Sequence, residues 1–535
     1  MANRAAALLV VFSVVGTAQQ YAGSQACAAC HRKLFDDYKK TAMGRSMSPA
    51  DNLLSLASDK IVVQSAKQNR EFEVFNQDGR LYQSESGPEF RVVHPLEYVV
   101  GSGMNGLSFV VRRGDHLFQA PLSWYSRTRT WGLSPGYEHA DYGFGRPIHP
   151  ACIACHSGRA QPVPQRSGQY RNPPFEELAI GCENCHGPGS QHITGNKGGA
   201  RRGGIVNPAK LPVALAEDIC MNCHQNGDAR ITQPGKSELD FRPGTPLNEV
   251  VAILKVPRAR DSAAGADLLE HHESMRLSRC FEVSKKLSCL TCHNPHATST
   301  DYNSRCLQCH AQALASSHPP RSSDCVSCHM PKREIGFIAH SALTNHRIVR
   351  KADQPLPATA FQQTTPESPD IVYFNGSKGK PLPWLTQLRA YGQLLEKYPG
   401  WNEPFQALLN QAEKNQSADP LVLATLGRRA LRANRVEEAI VYLRRSVAGG
   451  SAAPATFEDF GEAFARAGQL EAAVKTLEEG IAMFPYSPAL YKSKALRLIK
   501  MDRYGEARQT LQKYVELFPE DDFVRKLLRQ VSTSR

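Results

Sequence analysis

The sequence predicts a multidomain chain. A long cofactor-packed region of mostly helical or irregular backbone carries a small antiparallel β insertion, and an all-helical superhelix of repeats follows it. Three observations predict this. Fourteen of the fifteen cysteines fall into one recurrent pattern. Residues 60–132 alternate apolar and polar side chains with the two-residue period of strands. The C-terminal region lacks cysteine and repeats with a step of 34 residues. At 535 residues the chain exceeds what a single core serves, and its 41% hydrophobic, 21% charged composition excludes wholesale disorder.

Residues 1–18 read as a secretory signal. Arg4 supplies the positive start, Ala5 to Gly16 is a short apolar run, and Gly16 and Ala18 are the small residues before a cut after Ala18. An apolar run of about 12 residues is too short for a membrane span, which takes roughly 20. Export to the periplasm or the cell exterior is therefore expected, and no later segment is long and apolar enough to cross a bilayer.

In an exported chain, fifteen cysteines first suggest disulfides. Their spacing points elsewhere. Seven copies of C-x-x-C-H occur: Cys27/Cys30/His31, Cys152/Cys155/His156, Cys182/Cys185/His186, Cys220/Cys223/His224, Cys289/Cys292/His293, Cys306/Cys309/His310 and Cys325/Cys328/His329. Zinc ribbons and thioredoxin-like sites also use C-x-x-C, but neither needs a histidine directly after the second cysteine every time. Covalent attachment of c-type haem does: the two thiols add across the porphyrin vinyl groups and the adjacent histidine becomes the proximal iron ligand. The expected cofactors are seven c-type haems. Cys280 stands outside the pattern and reads as a small buried hydrophobe.

Haem also accounts for the net charge of +13. Two propionates leave each bis-ligated haem at roughly −1 to −2, so seven of them offset about half to all of the excess. Nucleic acid is not an expected partner, because the one basic cluster, residues 195–204, is glycine-rich and reads as a loop.

A helix carrying Leu34 and Tyr38 is expected after the first motif. The β insertion then reads as Phe72 and Val74, a turn at Asp78-Gly79, Leu81 and Tyr82, then Val92 to Val100, Leu107 to Val111, and a turn at Gly114-Asp115 leading to Leu117 through Tyr125. From Cys152 onward the motifs start 30, 38, 69, 17 and 19 residues apart, a density expected to make porphyrin the core of that segment. The whole of residues 19–349 is read as the haem region, and 350–383 as a linker rich in Pro, Thr, Ser and Gly. Residues 384–535 form the repeat domain. Pro420, Pro454 and Pro488 keep the 34-residue step, as do Ala439, Ala473 and Ala507, and Leu443, Leu477 and Leu511; Gly427 and Gly461 share it. That period, with small residues at helix contacts, is the tetratricopeptide signature. Residues 384–416 read as a degenerate first helix pair and 522–535 as a capping helix.

Seven irons call for distal ligands. Beyond the motif histidines, the candidates are His149, His192, His271, His296, His340 and His346, with His272 and His318 in reserve. His94, His116 and His139 read as ordinary surface or hydrogen-bonded residues.

The stretches from Cys182 to His192 (CENCHGPGSQH), Cys289 to His296 (CLTCHNPH) and Cys325 to Pro331 (CVSCHMP) resemble the multihaem cytochromes c that include the tetrahaem carrier of ammonia oxidisers and hydroxylamine oxidoreductase. The layout as a whole resembles exported multihaem cytochromes with C-terminal tetratricopeptide repeats. In the tetrahaem carrier a Thr-Ala-His segment follows the first motif and its histidine is a distal ligand. The matching segment here is Thr41-Ala42-Met43, so the resemblance implies Met43 as the seventh distal candidate, with helix packing as the alternative role for Met43 and Met47.

The resemblance implies electron transfer, with redox proteins or further copies of the chain as partners and the repeats as the docking surface. Two other readings stand beside it. One is an oxidoreductase acting on a small nitrogen or sulfur compound at an open haem, for which the first haem, beside the β insertion, is the favoured place. The other is a subunit of a conductive filament. No C-x-x-C-K motif is present to supply a lysine-ligated iron, and the spare histidines suffice to cap every haem, which favours the carrier.

Overall fold

The computed structural model describes residues 20–138, 140, 142–197, 204–258, 270–284, 286–311, 324–332, 344–351, 354–361, 364, 369–377, 379–450 and 453–533. The signal segment 1–18 and the candidates His139, His318 and His340 lie outside them.

The first motif sits within a helix, Ser24–Tyr38, that buries Ala28, Phe35 and Tyr38 on one side. A nine-stranded antiparallel sheet follows: β1 (Met47–Pro49), β2 (Ile61–Ser65), β3 (Arg70–Gln77), β4 (Arg80–Gly87), β5 (Phe90–Val100), β6 (Gly106–Arg113), β7 (His116–Gln119), β8 (Leu122–Tyr125) and β9 (Thr130–Leu133). The order is β2-β3-β4-β5-β6-β8-β9, with β1 added to β5 and β7 to β6. Edge strands β2 and β9 approach each other, so the sheet curls toward a barrel. The β3–β4 turn has Asp78 at φ 52° and Gly79 at φ 75°, the left-handed pair that a two-residue hairpin needs to match strand twist.

The insertion is therefore larger than the small module expected over 60–132. It starts at Met47, because Met47, Ser48 and Pro49 pair with Val100, Val99 and Tyr98. Three residues are too few to show alternation. Phe72, Val74, Leu81, Leu96, Phe109, Val111, Phe118 and Leu122 close its core, with Ala50 and Ala57 from the 3-10 helix Ala50–Ala57. Each such apolar side chain contributes about 1.5–3 kcal/mol on burial, so this sheet folds on side chains alone.

Short strands also thread between the motifs: β10 (Arg159–Pro162) pairs with β11 (Tyr170–Glu177), and β12 (Ala229–Thr232) with β13 (Val251–Lys255). Ile219, Met221, Phe241, Leu247, Val250, Val251 and Ile253 form an ordinary apolar core there. This corrects the expectation that porphyrin alone would fill residues 152–329. The stretch read as a linker contributes β14 (Val372–Tyr373), which pairs with Leu254 and Lys255.

From Trp384 to Thr533 the chain is all helix, packed as antiparallel neighbours in tetratricopeptide fashion. Pro420, Pro454 and Pro488 each occupy the first position of a helix, where a missing N–H costs nothing. Ala439, Ala473 and Ala507 are fully buried at the facing helices. Gly427 is held small by Leu443: a Cβ added there would lie 2.5 Å from Leu443 Cγ. Gly427→Val is accordingly expected to destabilise the repeats by about 1–3 kcal/mol through overpacking, read as a lower thermal midpoint of the full chain.

Both ends of this array are fastened to the rest of the chain. At its start, Leu382, Ala390 and Leu394 pack on Ala229, Ile231, Ala252, Leu254 and Ile371, and Thr386 donates to Gln233 (2.6 Å). At its end, the Arg113 guanidinium of β6 donates to the Leu517 and Phe144 carbonyls (2.7 and 3.2 Å) and stacks on Tyr486. Arg70 donates to the Glu520 carbonyl (2.8 Å), and Arg529 pairs with Glu89 (3.0 Å).

Candidate functional site

The first and fourth C-x-x-C-H segments lie in the helices Ser24–Tyr38 and Val213–His224; most of the others lie on turns of helix too short to be stable alone, several of them held by local caps. Asp324 accepts from Val326 and Ser327 N–H at the start of Cys325–His329. Asp301 accepts from Ser304 N–H at the start of Tyr302–His310. Asn184 accepts from Gly181 N–H at Cys182–His186, and Thr291 from Ser288 N–H at Cys289–Cys292.

The fold brings several of these turns together. The first and third meet where the Cys27 and Cys182 thiols lie close enough to shift each other's pKa in opposite directions, Cys27 up and Cys182 down. Cys182 N–H donates to Ser24 Oγ (2.8 Å), and the buried Glu183 carboxylate accepts from Ala22 and Gly23 N–H (2.9 and 2.8 Å). The second and fourth meet at Cys155 and Cys223, with Cys155 Sγ 3.5 Å from the Asn222 carbonyl. Cys220 of the fourth touches Cys289 of the fifth. Cys306 lies against Cys325, and Cys325 N–H donates to Asn303 (2.9 Å), joining the sixth and seventh. Tyr302, on the helix of the sixth motif, places its hydroxyl 3.3 Å from His293 Nδ1 of the fifth.

The thiols are not enclosed alike. The polypeptide leaves Cys30, Cys152, Cys309 and Cys328 exposed. For the last two the reason is the make-up of their helices, Tyr302–His310 and Cys325–His329, neither of which buries a single side chain. Cys328 takes only a weak hydrogen bond, from Ser327 Oγ at 3.8 Å. Cys309 is close enough to Cys292 and Cys280 for its charge to raise the pKa of both, after the larger effect of their own burial. Among the described residues, the helices of the sixth and seventh motifs contribute no fully buried side chain, whereas that of the fourth buries Ile219 and Met221.

Histidines pair across these groups. The ring centroids of His186 and His296 lie 6.0 Å apart at 17°, those of His293 and His346 5.9 Å apart at 25°, and those of His224 and His271 5.5 Å apart at 39°. Two imidazoles on opposite sides of one metal, each nitrogen about 2.0–2.1 Å from it, hold their centroids about 6 Å apart. All three pairs are close to that span. The distal candidates His271 and His346 also touch each other, with centroids 4.2 Å apart.

Hydrogen bonds set the tautomers. His186 Nδ1 donates to the Val206 carbonyl and His329 Nδ1 to the Val349 carbonyl, both at 2.7 Å, and His346 Nδ1 donates to the Thr344 carbonyl (3.1 Å). A carbonyl only accepts, so Nδ1 carries the proton in each ring, and in His186 and His346 the Nε2 lone pair is left for a metal. His271 Nε2 is buried with no hydrogen-bond partner. Burial, followed by the neighbouring His346, His224 and His293, lowers its pKa to about 3, and burial likewise lowers His346 and His296. Neutral imidazole is the form that binds metal.

Other candidates are placed differently. His272 is buried with Nε2 held by Glu217 (2.9 Å) and its Nδ1 without a hydrogen-bond partner. His149 Nδ1 lies 3.4 Å from Ser167 Oγ, and His192 Nδ1 accepts from the Asn196 amide (3.2 Å). Among the described residues neither pairs with a motif imidazole. Met43 is half-buried on the turn Met43–Arg45, whereas Met47 is buried among Val110, Leu117, Ile153, Tyr170 and Phe175. His94 lies inside the sheet against Phe144, and His116 is buried and bonded to Asp115 (2.7 Å). Cys280 is half-buried. The small cavity at the sheet, between Gly101, Leu107, Ser123, Trp124 and Tyr125, is lined by His156 of the second motif. The second attachment segment, not the first, therefore faces the sheet there; the first is turned toward the third.

Sequence reasoning missed the groups that orient these rings: Tyr302, the Val206 and Val349 carbonyls, and the Glu217–His272 pair. None carries a motif; each acts through a backbone position or a contact between distant segments.

A repeated cysteine–histidine binding region joined to a tetratricopeptide-like helical array is the class that fold and site define. Comparison with known proteins agrees in part. The family described as cytochrome c554 and c-prime matches residues 139–187, which hold the second and third motifs. The multiheme cytochrome MtrA of Shewanella baltica (strain OS185) is 26% identical over 207 residues, covering 37% of this chain and 57% of that protein. The chain thus matches little more than half the length of this relative. Among solved structures, the Cut9–Hcn1 hetero-tetramer of the APC/C is similar over 28% of this chain and 30% of its own (19% identity, TM-score 0.25). The tetratricopeptide protein TTC0263 of Thermus thermophilus is similar over 28% of this chain and 82% of its own (21% identity, TM-score 0.24).

Proposed function

We propose that the chain is an exported electron-transfer protein that binds seven c-type haems through Cys27 and Cys30, Cys152 and Cys155, Cys182 and Cys185, Cys220 and Cys223, Cys289 and Cys292, Cys306 and Cys309, and Cys325 and Cys328. The observation that carries it is the sevenfold C-x-x-C-H pattern, three of whose histidines each have a histidine from elsewhere beside them at a metal-spanning distance. Among the described residues, no group of three or more metal-binding side chains gathers at one point. Donors in twos suit an iron whose other four ligands come from a porphyrin. Bound haem supplies reversible one-electron chemistry.

The protein's part is to hold, space and cap. His186, His224 and His293 serve as proximal ligands here, and His31, His156, His310 and His329 do so at the other motifs. His271, His296 and His346 fill opposite positions, with His149, His192, His340 and Met43 as candidates for the rest. The thiol contacts keep neighbouring attachment points within touching distance, which favours relay over isolated sites. Filled axial positions leave no place for a small substrate, which favours the carrier over the oxidoreductase. The helical array serves as the surface for a redox partner or a second copy; no described helix is long and apolar enough to cross a membrane.

Intact-mass spectrometry of the mature protein tests the count. Seven haem additions are expected. Six or fewer, or a mass lowered by disulfides between the touching cysteines, would overturn it.

A further inference from the structure

We propose that His296, which follows the fifth motif, is the sixth ligand of the iron held by His186 of the third motif, and that Met43 is not. The assignment rests on the haem reading above and deepens it.

Three observations converge on His296. Its ring lies 6.0 Å from that of His186 and nearly parallel to it at 17°. Stacked rings in general fall within about 4.5–7 Å, so the distance alone does not distinguish a ligand pair from simple packing; the surroundings do. His186 is locked with Nδ1 on the Val206 carbonyl, leaving Nε2 for a metal. His296 is held in turn by the third motif's own neighbourhood: Tyr38 meets its ring edge-on at 6.2 Å, and the Tyr38 hydroxyl donates to the Ile180 carbonyl (2.9 Å), two residues before Cys182. The loop that delivers His296 is shaped by Asn294, whose side chain accepts from His296 N–H and whose carbonyl accepts from Ala297 N–H (both 3.1 Å). This turn carries His296 away from its own motif, where His293 already faces His346.

His293 and His296 would then bind two different irons from positions three residues apart. The link matters for relay. Thiol contacts join the first motif to the third, and the second to the fourth and fifth. The His186–His296 pair is one tie between the two groups, beside the nearness of Cys185 of the third motif to Cys223 of the fourth.

The test uses the full haem-loaded protein and its low-temperature EPR spectrum. His296→Ala is expected to move one haem of the set from low spin to high spin while the haem count by mass is unchanged, and added imidazole is expected to restore the low-spin state. His296→Met, which keeps a ligand, should leave all haems low spin but raise the potential of one. Met43→Ala should leave that same haem low spin. A His296→Ala spectrum identical to wild type, or a spin change of that same haem in Met43→Ala, would overturn the assignment. A wild-type protein without haem would overturn the underlying reading, and its mass shows that separately.

Discussion

Replacing Cys220 and Cys223 together with alanine is expected to remove one haem and to destabilise the protein more than the same change at any other motif. The helix Val213–His224 lies at the centre of the attachment region. Cys220 touches Cys289 and Cys223 touches Cys155, so this motif borders two others. On its other side Ile219 and Met221 enter the apolar core with Phe241, Leu247 and Val251. His224 faces His271. Deleting the largest buried side chains costs about 3–5 kcal/mol, and a haem is larger than any of them, so a loss of at least that size is expected. The Cys27/Cys30 pair is the control: Cys30 is exposed, and the first motif's thiol contact is with the third motif alone. Intact mass and a thermal melt of the two double variants check the order. Equal losses would show that the fourth motif is not the hub.

His271→Ala is the second large effect. His271 Nε2 is buried without a hydrogen-bond partner, which in a neutral core would cost about 1–3 kcal/mol. An iron held by His224 would remove that cost. The variant is expected to keep its haem count but to show one five-coordinate haem that takes up carbon monoxide when reduced, where wild type takes up none at that site. His272→Ala should behave differently. His272 is bonded to Glu217, so its loss leaves that carboxylate unpaired and lowers stability without opening an iron. Carbon monoxide binding by the second variant and not the first would reverse the two roles.

What can be read from the sequence divides along physical lines. The attachment chemistry is local, five residues long and repeated, so every motif is legible. How far each thiol is sheltered is not: Cys309 and Cys328 are exposed where Cys185 and Cys223, in the same kind of motif, are half-buried, and only the packing around them differs. The repeats are legible because a 34-residue step returns the same small residue to the same contact, as Gly427 against Leu443 and Gly461 against Leu477 show. The sheet is legible from β3 to β6, where strands are long and Asp78-Gly79 marks a turn, but not at β1, which spans three residues. The fully buried strand Val251–Lys255 carries a different signal, a continuous apolar run in place of alternation, which a search for alternation passes over. Distal pairings are not legible in principle. His271 meets His224, and His346 meets His293, only after β12, β13 and the segments around them have folded, and nothing in either stretch records the other. His296, far along the chain from the third motif, likewise comes to lie beside His186 only in the folded protein.

The central claim is that the irons are six-coordinate and serve to pass electrons. Low-temperature EPR of the oxidised wild-type protein tests it most directly, because spin state reports whether both axial positions are filled. The account expects low-spin ferric signals that integrate to the haem count from mass, with no substantial high-spin component. A substantial high-spin signal, together with turnover of a small nitrogen or sulfur compound by the purified protein, would contradict it.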